Sequence, residues 1–360
     1  MKNKRKDRIV VNATALDSSG ALNILYQFVE NLPDNGYRWI IFVNSIISLT
    51  TSNRNVEIIP IKGVKSMFRR FLWDAFGVSS WLRKHGIRPI AAVSLQNTGF
   101  RTGFNIPCFI YYHQSIPFVK RQWNLLIRSQ RNLWFYKNIY PFFVRLFINS
   151  DTNVFVQLEY IRTKFHDKFK VPLSNIYVVS PSIIMGSRKE SLDLNLPGDK
   201  INIFYPATSV FYKNHDIIIK AMSHIVDIKV VLYLTVNRDD IHVTSNVDVV
   251  YMGRIPYSKV LSMYKSCDGL VFPSYIETYG LPLLEAASMG VPIIASDLPY
   301  AREVLAGYDG VTYVPYNDVI AWEKAIGKLR KGHRYKPLSI QNRNSWSKLF
   351  NIIQTKISNV

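Results

Sequence analysis

Short apolar runs rich in β-branched residues alternate along the whole chain with longer segments of helical periodicity. Because such runs are apolar on both faces, they are typical of parallel strands in a sheet that helices cover on both sides. The candidate strands are residues 8–11, 39–43, 90–93, 108–112 and 154–156 in the first half, and 201–205, 229–234, 249–252, 269–272 and 292–295 in the second. The pattern predicts an α/β protein with two doubly wound, Rossmann-like sheets.

The chain has 360 residues, of which 48% are hydrophobic, and is therefore long enough for two cores. The periodicity is interrupted between Ser180 and Lys200, where Pro181 and the sequence Leu-Pro-Gly-Asp at 196–199 occur. We therefore place the domain boundary there and expect domains at 1–180 and 181–360. The last helix is a candidate to pack back on the first domain.

The formal net charge of +20 is concentrated in the first half of the chain. Residues 1–180 contain 25 Lys and Arg against 9 Asp and Glu, whereas residues 181–360 contain 20 against 16. The first half is therefore expected to face an anionic partner. Long-range attraction by itself does not distinguish nucleic acid from anionic lipid.

The cysteines and the hydropathy pattern indicate the compartment. Cys108 and Cys267 lie in different halves and outside any CxxC or Cys/His spacing, so neither a disulfide framework nor a structural zinc site is expected. No run approaches the roughly 18 to 20 uncharged apolar residues of a membrane-spanning helix. The apolar residues 9–11 behind the basic N-terminus are too few for a secretion signal. We expect a protein of the reducing cytoplasm that does not span a bilayer.

The most informative segment runs from Asp268 to Ala287 and reads as a strand, a loop and a helix. It contains two carboxylates, Glu277 and Glu285. Gly280 and Pro282 lie between them, and a proline is not compatible with the interior of one continuous helix. We therefore expect a tight turn at Gly280, a helix opened by Pro282, and the two carboxylates on different elements.

Open α/β sheets bind ligands beyond the carboxyl ends of their strands, which is where this loop and helix are expected. Free amides at residues 280–283, those of Gly280 and Leu281 among them, and the positive end of the helix dipole suit a diphosphate. Glu285 can then accept hydrogen bonds from ribose hydroxyls, while Glu277 reaches a transferred sugar. The alternative is that the two glutamates are a surface acid and a helix-capping acid.

The segment resembles glycosyltransferase family 4, whose signature is two glutamates separated by seven residues in a frame of Pro-Ser, Gly-Leu-Pro and Glu-Ala. Every fixed position of that frame is present from Pro273 to Ala286. The match is dense over residues 200–320 and loose over the first half. The resemblance implies a retaining enzyme of GT-B fold, with an acceptor-side domain and a nucleotide-sugar-binding domain facing a central cleft. It also implies that Glu285 binds the ribose and that Glu277 faces the donor sugar.

The same resemblance points to a cation for the donor diphosphate. Lys213 matches the lysine of the family's Lys-Asn turn and is the expected cation, although a solvated loop lysine is the alternative. Many members carry an arginine shortly before that lysine, whereas this chain has Thr208 between Ala207 and Ser209. Thr208 is therefore a candidate donor-binding residue. Arg254 is the next candidate for a phosphate cation.

In the first domain the resemblance points to Gly20 and His113. Gly20 precedes a helical pattern at 22–32, where the family has a glycine pair that lets the backbone approach the donor phosphates. An ordinary turn glycine is the alternative. His113 directly follows the strand at 108–112 and would face the cleft near the reacting sugar. A structural histidine is the alternative for this position.

No Asp-x-Asp triplet occurs in the chain, so the metal-binding motif of the other main glycosyltransferase fold is missing. We therefore expect no bound metal and no cofactor, the donor substrate being a nucleotide-diphosphate sugar. Lys213 and helix amides are expected to stabilise the charge on the leaving group. The acceptor hydroxyl is expected to lose its proton to the departing phosphate on the same face of the sugar.

Two basic and aromatic segments, 62–84 and 120–145, suit the headgroup layer of an anionic membrane. An ordinary amphipathic helix with its aromatic face in the core is the alternative. The leading hypothesis is a hexosyltransferase with a lipid-linked or saccharide acceptor in bacterial surface polysaccharide synthesis (O-antigen, capsule or lipopolysaccharide), peripheral on the inner face of the plasma membrane. The alternatives are a GT-B nucleotide-sugar epimerase or a phosphorylase, and a basic nucleic-acid-binding protein. Because no nucleic-acid motif is present, we expect no nucleic-acid partner.

Overall fold

A computed structural model describes residues 7–17, 19–64, 66–183, 194–241, 247–340 and 346–359. The contacts divide the chain into two compact units. The first consists of Met1–Ser182 with Arg343–Val360, and the second of Ile183–Asn342. The basic residues 2–6, Lys65 of the first basic segment and positions 184–193 of the expected interdomain break lie outside the described residues.

The first unit is built on a seven-stranded parallel sheet. Its strands are β1 (Arg8–Ala13), β2 (Arg38–Asn44), β3 (Val56–Ile61), β4 (Ala91–Ser94), β5 (Cys108–Tyr112), β6 (Asn153–Val156) and β7 (Ile176–Val178). They lie in the order β3-β2-β1-β4-β5-β6-β7. Val10 in the centre of β1 pairs with Ile40 on one side and Ala92 on the other, and all three side chains are buried.

Six helices of the first unit lie between these strands. They are α1 (Ser19–Glu30), α2 (Met67–Leu72), α3 (Val78–Lys84), α4 (Arg131–Asn138), α5 (Tyr140–Arg145) and α6 (Glu159–Phe169). A five-residue π-helix, Trp73–Gly77, joins α2 to α3, so the segment from Met67 to Lys84 is helical throughout. A π-turn inside an α-helix is rare and frequently marks a functional site.

The second unit is built on a six-stranded parallel sheet. Its strands are β8 (Ile201–Tyr205), β9 (Val230–Leu234), β10 (Asp248–Tyr251), β11 (Gly269–Phe272), β12 (Ile293–Ser296) and β13 (Val311–Val314), in the order β10-β9-β8-β11-β12-β13. Its helices are α7 (His215–Ser223), α8 (Tyr257–Ser266), α9 (Leu281–Ser288), α10 (Pro299–Val304) and α11 (Val319–Gly327). The two sheets confirm the predicted α/β class with two doubly wound, Rossmann-like units.

The last helix, α12 (Trp346–Ser358), packs in the core of the first unit. The Trp346 ring stacks on Tyr111 with the ring centroids 5.4 Å apart, and its Nε1–H donates a hydrogen bond of 3.0 Å to Gln27 Oε1. Phe350 of the same helix lies edge-on to Trp39 of β2. The buried aromatic rings therefore join the end of the chain to the first sheet, although the second unit lies between them in the sequence.

Three strands of the structure, β3, β7 and β13, were missed by the sequence pattern, and all three are edge strands. An edge strand is covered less than a central one, so its sequence need not be apolar throughout. β3 contains Glu57 and Pro60 and is only half-buried, whereas β13 alternates half-buried and exposed residues up to Val314.

None of the helices in the described parts of the chain combines the length and the hydropathy that spanning a bilayer requires.

Candidate functional site

The order of strands in the second sheet changes direction between β8 and β11. From β8 the chain adds β9 and β10 on one side, and from β11 it adds β12 and β13 on the other. At such a switch point the loops after the two neighbouring strands diverge and leave a crevice that binds ligands in open α/β sheets. The loop after β8 carries Lys213, and the loop after β11 carries Glu277.

The structure brings Lys213 and Glu277 together at this position. The Lys213 ammonium forms an ion pair with Glu277 Oε1, and both side chains are largely buried, with 17% and 13% of their surfaces exposed. The ammonium also lies 5.8 Å from the centre of the Tyr212 ring and 5.9 Å from that of Phe272. The expected phosphate cation and the expected sugar-facing carboxylate are therefore direct neighbours, which their separation of 64 residues did not reveal.

Local hydrogen bonds hold both loops in place. The Tyr205 hydroxyl donates 2.8 Å to the Lys213 carbonyl, and the Tyr275 N–H donates 3.0 Å to the Tyr212 carbonyl. After a short 3₁₀ turn, Asn214 adopts the left-handed conformation with φ of 60° and starts α7. Asn is one of the few residues that tolerate this conformation. The Lys213 backbone is thus anchored on both sides of its side chain.

Gly280 forms the expected turn before α9. Its φ of 89° lies in the left-handed region that favours glycine, and a Cβ added there would meet Leu283 Cδ1 at 3.3 Å. Helix α9 begins at Leu281 with Pro282 in its first turn, as predicted. The expectation of free amides throughout 280–283 is wrong in part, because Pro282 has no N–H and the Leu283 N–H donates to the Gly280 carbonyl. The amides of Gly280 and Leu281 remain the candidates for a phosphate contact.

Glu285 lies in the second turn of α9 and is 7% exposed. Its two carboxylate oxygens accept hydrogen bonds from two tyrosines of α8, from the Tyr257 hydroxyl at 2.9 Å and from the Tyr264 hydroxyl at 3.0 Å. Burial raises the pKa of Glu285, and the two hydroxyls lower it in part. Each carboxylate oxygen has a second lone pair, so the carboxylate can still accept bonds from a ligand.

The remaining candidates of the second unit lie in exposed positions. Thr208 follows β8 and is exposed, and Arg254 follows β10 next to Gly253, which has a positive φ of 61°. Burial and the Lys213 ammonium lower the pKa of His215, at the start of α7, to about 4, so its ring is neutral at pH 7. A neutral His215 leaves Lys213 as the candidate phosphate cation of the loop after β8.

His113 and Gly20 belong to the first unit. His113 follows β5, and its ring Nε2 lies 3.0 Å from the Leu95 carbonyl. Its backbone N–H donates to Asn97 Oδ1, and burial lowers the pKa of the ring. Gly20 lies inside the first turn of α1 and has no atom within 4 Å of an added Cβ. The expected position of Gly20 in front of the helix is therefore wrong, because α1 begins three residues before the expected Leu22. Neither the conformation nor the packing of Gly20 requires glycine.

Two sets of polar residues were missed by the sequence reasoning. Tyr257 and Tyr264 are seven residues apart on α8 and so share one face of the helix, but nothing in that spacing pointed to Glu285. Asp74 is buried in the π-helix of the first unit and contacts Asn12 and Gln96. The sequence did set Asp74 apart, since it is the only acidic residue between Glu57 and Asp151.

Parts of the chain are similar in sequence to known glycosyltransferases. Residues 187–345 match the family described as glycosyl transferases group 1. The chain is 31% identical over 83 residues to O-antigen chain mannosyltransferase RfbU of Salmonella typhimurium and 39% identical over 71 residues to O-antigen chain mannosyltransferase B of Escherichia coli. The matched stretches cover 23% and 20% of this chain, and 23% and 18% of those two proteins.

The fold of the whole chain also has solved counterparts. One is WaaG, a glycosyltransferase involved in lipopolysaccharide biosynthesis, with a TM-score of 0.62 at 14% identity over 94% of this chain and 93% of that one. At that identity the likeness concerns the fold alone. The likeness shows that the chain has the GT-B fold, and the match to glycosyl transferases group 1 is confined to residues 187–345.

Proposed function

We propose that the protein is a retaining glycosyltransferase that moves a hexose from a nucleotide-diphosphate sugar to a saccharide or lipid-linked acceptor in bacterial surface polysaccharide synthesis. The observation that carries the proposal is the ion pair of Lys213 and Glu277 at the switch point of the second sheet, followed by a helix that buries Glu285. The O-antigen mannosyltransferases that are similar to part of this chain support the pathway class.

Each group of the site has a role in this proposal. Glu285 accepts hydrogen bonds from the ribose hydroxyls, and the amides of Gly280 and Leu281 bind the diphosphate together with Lys213. Glu277 orients the donor sugar. The bond between the anomeric carbon and the phosphate oxygen breaks, and the acceptor oxygen forms a new bond to that carbon on the same face. The proton of the acceptor hydroxyl goes to the leaving phosphate, whose growing charge Lys213 stabilises.

A thermal-shift assay with UDP-, GDP- and dTDP-sugars tests the donor class. Any ligand that binds only the folded protein stabilises it, by about 2.7 kcal/mol at one hundred times its dissociation constant. We expect one nucleotide series to raise the melting temperature and to be hydrolysed slowly without acceptor. If no nucleotide sugar stabilises the chain or is consumed, the proposed activity is wrong.

Glu285→Ala is expected to weaken nucleotide binding by roughly 10- to 100-fold, because a hydrogen bond to a charged group contributes about 1.5 to 3 kcal/mol. The ribose contact exists before and during the reaction, so affinity should fall more than turnover. Calorimetry with the nucleoside diphosphate measures this change. Glu285→Gln, which retains the shape and one acceptor for the two tyrosines, controls for loss of folding. Unchanged affinity in a folded Glu285→Ala protein would rule out the ribose role.

Turnover is expected to survive treatment with EDTA. The leaving phosphate is stabilised by Lys213 and backbone amides in this proposal, so no divalent ion is needed there. The measurement is the initial rate before and after chelation, with added Mg²⁺ or Mn²⁺ as the control. Loss of activity on chelation and its recovery with either ion would show that a metal carries the charge instead.

We further propose that the protein works at the inner face of the plasma membrane, attached peripherally through its first unit. Residues 75–150 contain ten Lys and Arg and no Asp or Glu. Large apolar side chains are exposed in and beside the same region, among them Phe68, Leu126 and Phe142. Basic and apolar groups side by side favour an anionic bilayer surface. Binding to anionic liposomes that weakens with salt, and no binding to duplex DNA at about 0.15 M salt, is the expected result.

A further inference from the structure

A cavity of about 450 Å³ lies at the edge of the first sheet where its strands begin. Its lining includes Cys108, the first residue of β5, Asn153, the first residue of β6, and Asn175, which directly precedes β7. Open α/β sheets bind their substrates beyond the carboxyl ends of the strands, which form the opposite edge. The cavity therefore lies away from the edge at which this sheet is expected to hold a reacting substrate.

Side-chain amides dominate the lining of this cavity. Its charged residues are Asp151 and Lys356, whose charges are opposite. Five asparagines line it, Asn105, Asn149, Asn153, Asn175 and Asn359. An amide both donates and accepts hydrogen bonds, and so does a hydroxyl group. A lining of amides without net charge therefore suits a ligand with many hydroxyls better than it suits an ion.

Asn153 gives a second, independent indication of a ligand. The residue is 4% exposed, and its Nδ2 donates 3.3 Å to the Asp151 carbonyl. Its Oδ1 is buried and has no hydrogen-bond partner among the described residues. Nearly all buried polar groups of folded proteins have a partner, and an exception points to a water or a ligand that the group binds. We expect this amide oxygen to accept a hydrogen bond from a group that enters the cavity.

The loop before β6 is held in place by its own side chains. Asn149 Oδ1 accepts hydrogen bonds from the Thr152 hydroxyl at 2.8 Å and from the Asp151 N–H at 3.1 Å. Asn175 Nδ2 donates 2.8 Å to the Ser150 carbonyl. Each of these bonds uses one end of an amide, and the other end can bind a ligand. Because the loop is ordered in advance, binding costs less conformational entropy.

A second cavity, of about 550 Å³, extends the first along helix α12. Lys356 lines both cavities, so they adjoin at that residue. The lining residues of α12 lie at 347, 348, 351, 352, 355 and 356, which is the spacing of one helix face. This face extends roughly 14 Å from Ser347 to Lys356. We call the two cavities together the α12 groove.

An oligosaccharide matches the shape and the chemistry of the α12 groove. Ser347, Asn351 and Thr355 line its second cavity with groups that donate and accept hydrogen bonds, and the half-buried ring of Tyr177 lies among them. A sugar chain has hydroxyls at the edges of its rings and C–H groups on their faces, which can contact an aromatic ring. Its length also suits a groove better than a single closed pocket.

Two other chain-like occupants match the α12 groove less well. Its lining contains two cations and one acid, which are too few cations for a nucleic acid or an anionic bilayer. A peptide that added to the edge strand β7 would need the free carbonyls of that strand. The Ile176 carbonyl already accepts 2.9 Å from Arg162 Nε, and the Val178 carbonyl accepts 3.2 Å from Lys348 Nζ.

We propose that the α12 groove is a second saccharide-binding site, which holds a stretch of the sugar chain that the protein lengthens and lies away from the catalytic edge. The Asn153 amide and its neighbouring asparagines bind one part of the chain, and the exposed face of α12 binds the next. A chain held there stays with the protein between successive transfers. The nature of the chain rests on the proposed glycosyltransferase activity, whereas the binding itself needs no nucleotide sugar.

Calorimetry with oligosaccharides of increasing length tests the proposal on the full chain. The probes are neutral manno- and gluco-oligosaccharides and acidic galacturonic oligosaccharides, each from the disaccharide to the hexasaccharide. In at least one series we expect the affinity to rise roughly tenfold or more with length, because a longer chain fills both cavities. No binding in any series, or an affinity independent of length, would overturn the proposal.

Variants in the groove locate the binding. Asn351→Ala with Thr355→Ala removes two hydrogen-bonding groups at exposed positions where alanine favours the helix, and should weaken hexasaccharide binding roughly tenfold. Asn153→Ala should weaken it to a similar extent. Gln354→Ala, at an exposed position of α12 outside the lining, is the matched control and should change nothing. Hexasaccharide binding that the double variant leaves intact would contradict the assignment to the groove, whether or not Asn153→Ala folds.

Nucleotide sugars titrated into the same variants separate this proposal from the proposed function. The groove variants should bind nucleotide sugars as the wild type does, because Lys213, Glu277 and Glu285 lie in the second unit. Oligosaccharide binding without any nucleotide-sugar binding would contradict the transferase activity and retain the groove as a saccharide site. Nucleotide-sugar binding without oligosaccharide binding would contradict the groove proposal alone.

Discussion

Lys213→Ala is expected to lower turnover by on the order of 10²- to 10³-fold, the loss typical of removing one preorganised group that stabilises developing charge. Negative charge grows on the leaving phosphate as the glycosidic bond breaks, so a fixed ammonium stabilises the transition state more than the bound substrate. The Lys213 ammonium is fixed by its ion pair with Glu277 and by anchored backbone on both sides. Steady-state kinetics with a saturating donor measures the effect.

Controls for this variant separate catalysis from folding. Removing Lys213 leaves the largely buried Glu277 carboxylate without its cation, which destabilises a folded protein. The double variant Lys213→Ala with Glu277→Gln removes both charges and should restore stability without restoring turnover. Lys220→Ala, at an exposed position of α7, is the matched control and should have normal turnover. Lys213→Arg should recover part of the rate, because it retains the charge with a different donor geometry.

Near-normal turnover of a folded Lys213→Ala protein would contradict its assignment as the phosphate cation. Arg254 is then the next residue to replace, since it follows β10 in an exposed position of the same unit. A large loss in Arg254→Ala together with a normal Lys213→Ala would move the cation to the loop after β10.

Between about pH 4 and pH 7, Asp74→Asn is expected to gain stability relative to the wild type by on the order of 4 kcal/mol. Burial raises the pKa of Asp74 from 3.8 to about 7, and this effect exceeds the opposing effects of Asn12, Gln96, Thr98 and Arg70. Between these two pH values the folded protein retains a proton that the unfolded chain has lost. The free energy of unfolding therefore falls by about 1.4 kcal/mol per pH unit from about pH 4 to pH 7, and this contribution is constant above pH 7.

Urea unfolding of the wild type and of Asp74→Asn at several pH values between 4 and 8 measures this dependence. Asparagine does not titrate, so the difference between the two proteins should grow across that interval. Asp17→Asn is a suitable comparison, because Asp17 is a half-buried carboxylate in an ion pair with Arg70. A constant difference between wild type and Asp74→Asn over the whole interval would show that burial does not raise the pKa of the Asp74 carboxyl.

The sequence was most informative where a short motif sets the backbone directly. Gly280 and Pro282 predicted the turn and the start of α9, because glycine adopts positive φ and proline is suited to a first helical turn. The strands at 108–112, 201–205 and 269–272 were predicted with the bounds that the structure has. Central strands are largely apolar, since helices cover both faces of the sheet, and that pattern is visible in a single sequence.

The sequence-based predictions failed where the structure of a residue depends on what packs against it or bonds to it. β3, β7 and β13 lie at sheet edges; β3 and β13 contain polar or exposed residues, and β7 has only three residues. The amide of Leu283 was expected to be available but bonds to the Gly280 carbonyl, a detail of the first helical turn that residue type does not disclose. Gly20 was expected in front of the helix, although α1 already begins at Ser19.

By itself the sequence determined two doubly wound sheets and the helix that presents Glu285, because apolar periodicity and the backbone preferences of glycine and proline act locally. The tertiary structure decided which side chains meet. Lys213 reaches Glu277 only because β8 and β11 are neighbours, and Asp74 is buried because a π-turn places it beside the ends of β1 and β4. Such contacts join residues that are far apart in the chain, so they and the pKa shifts that follow from burial depend on the packed fold.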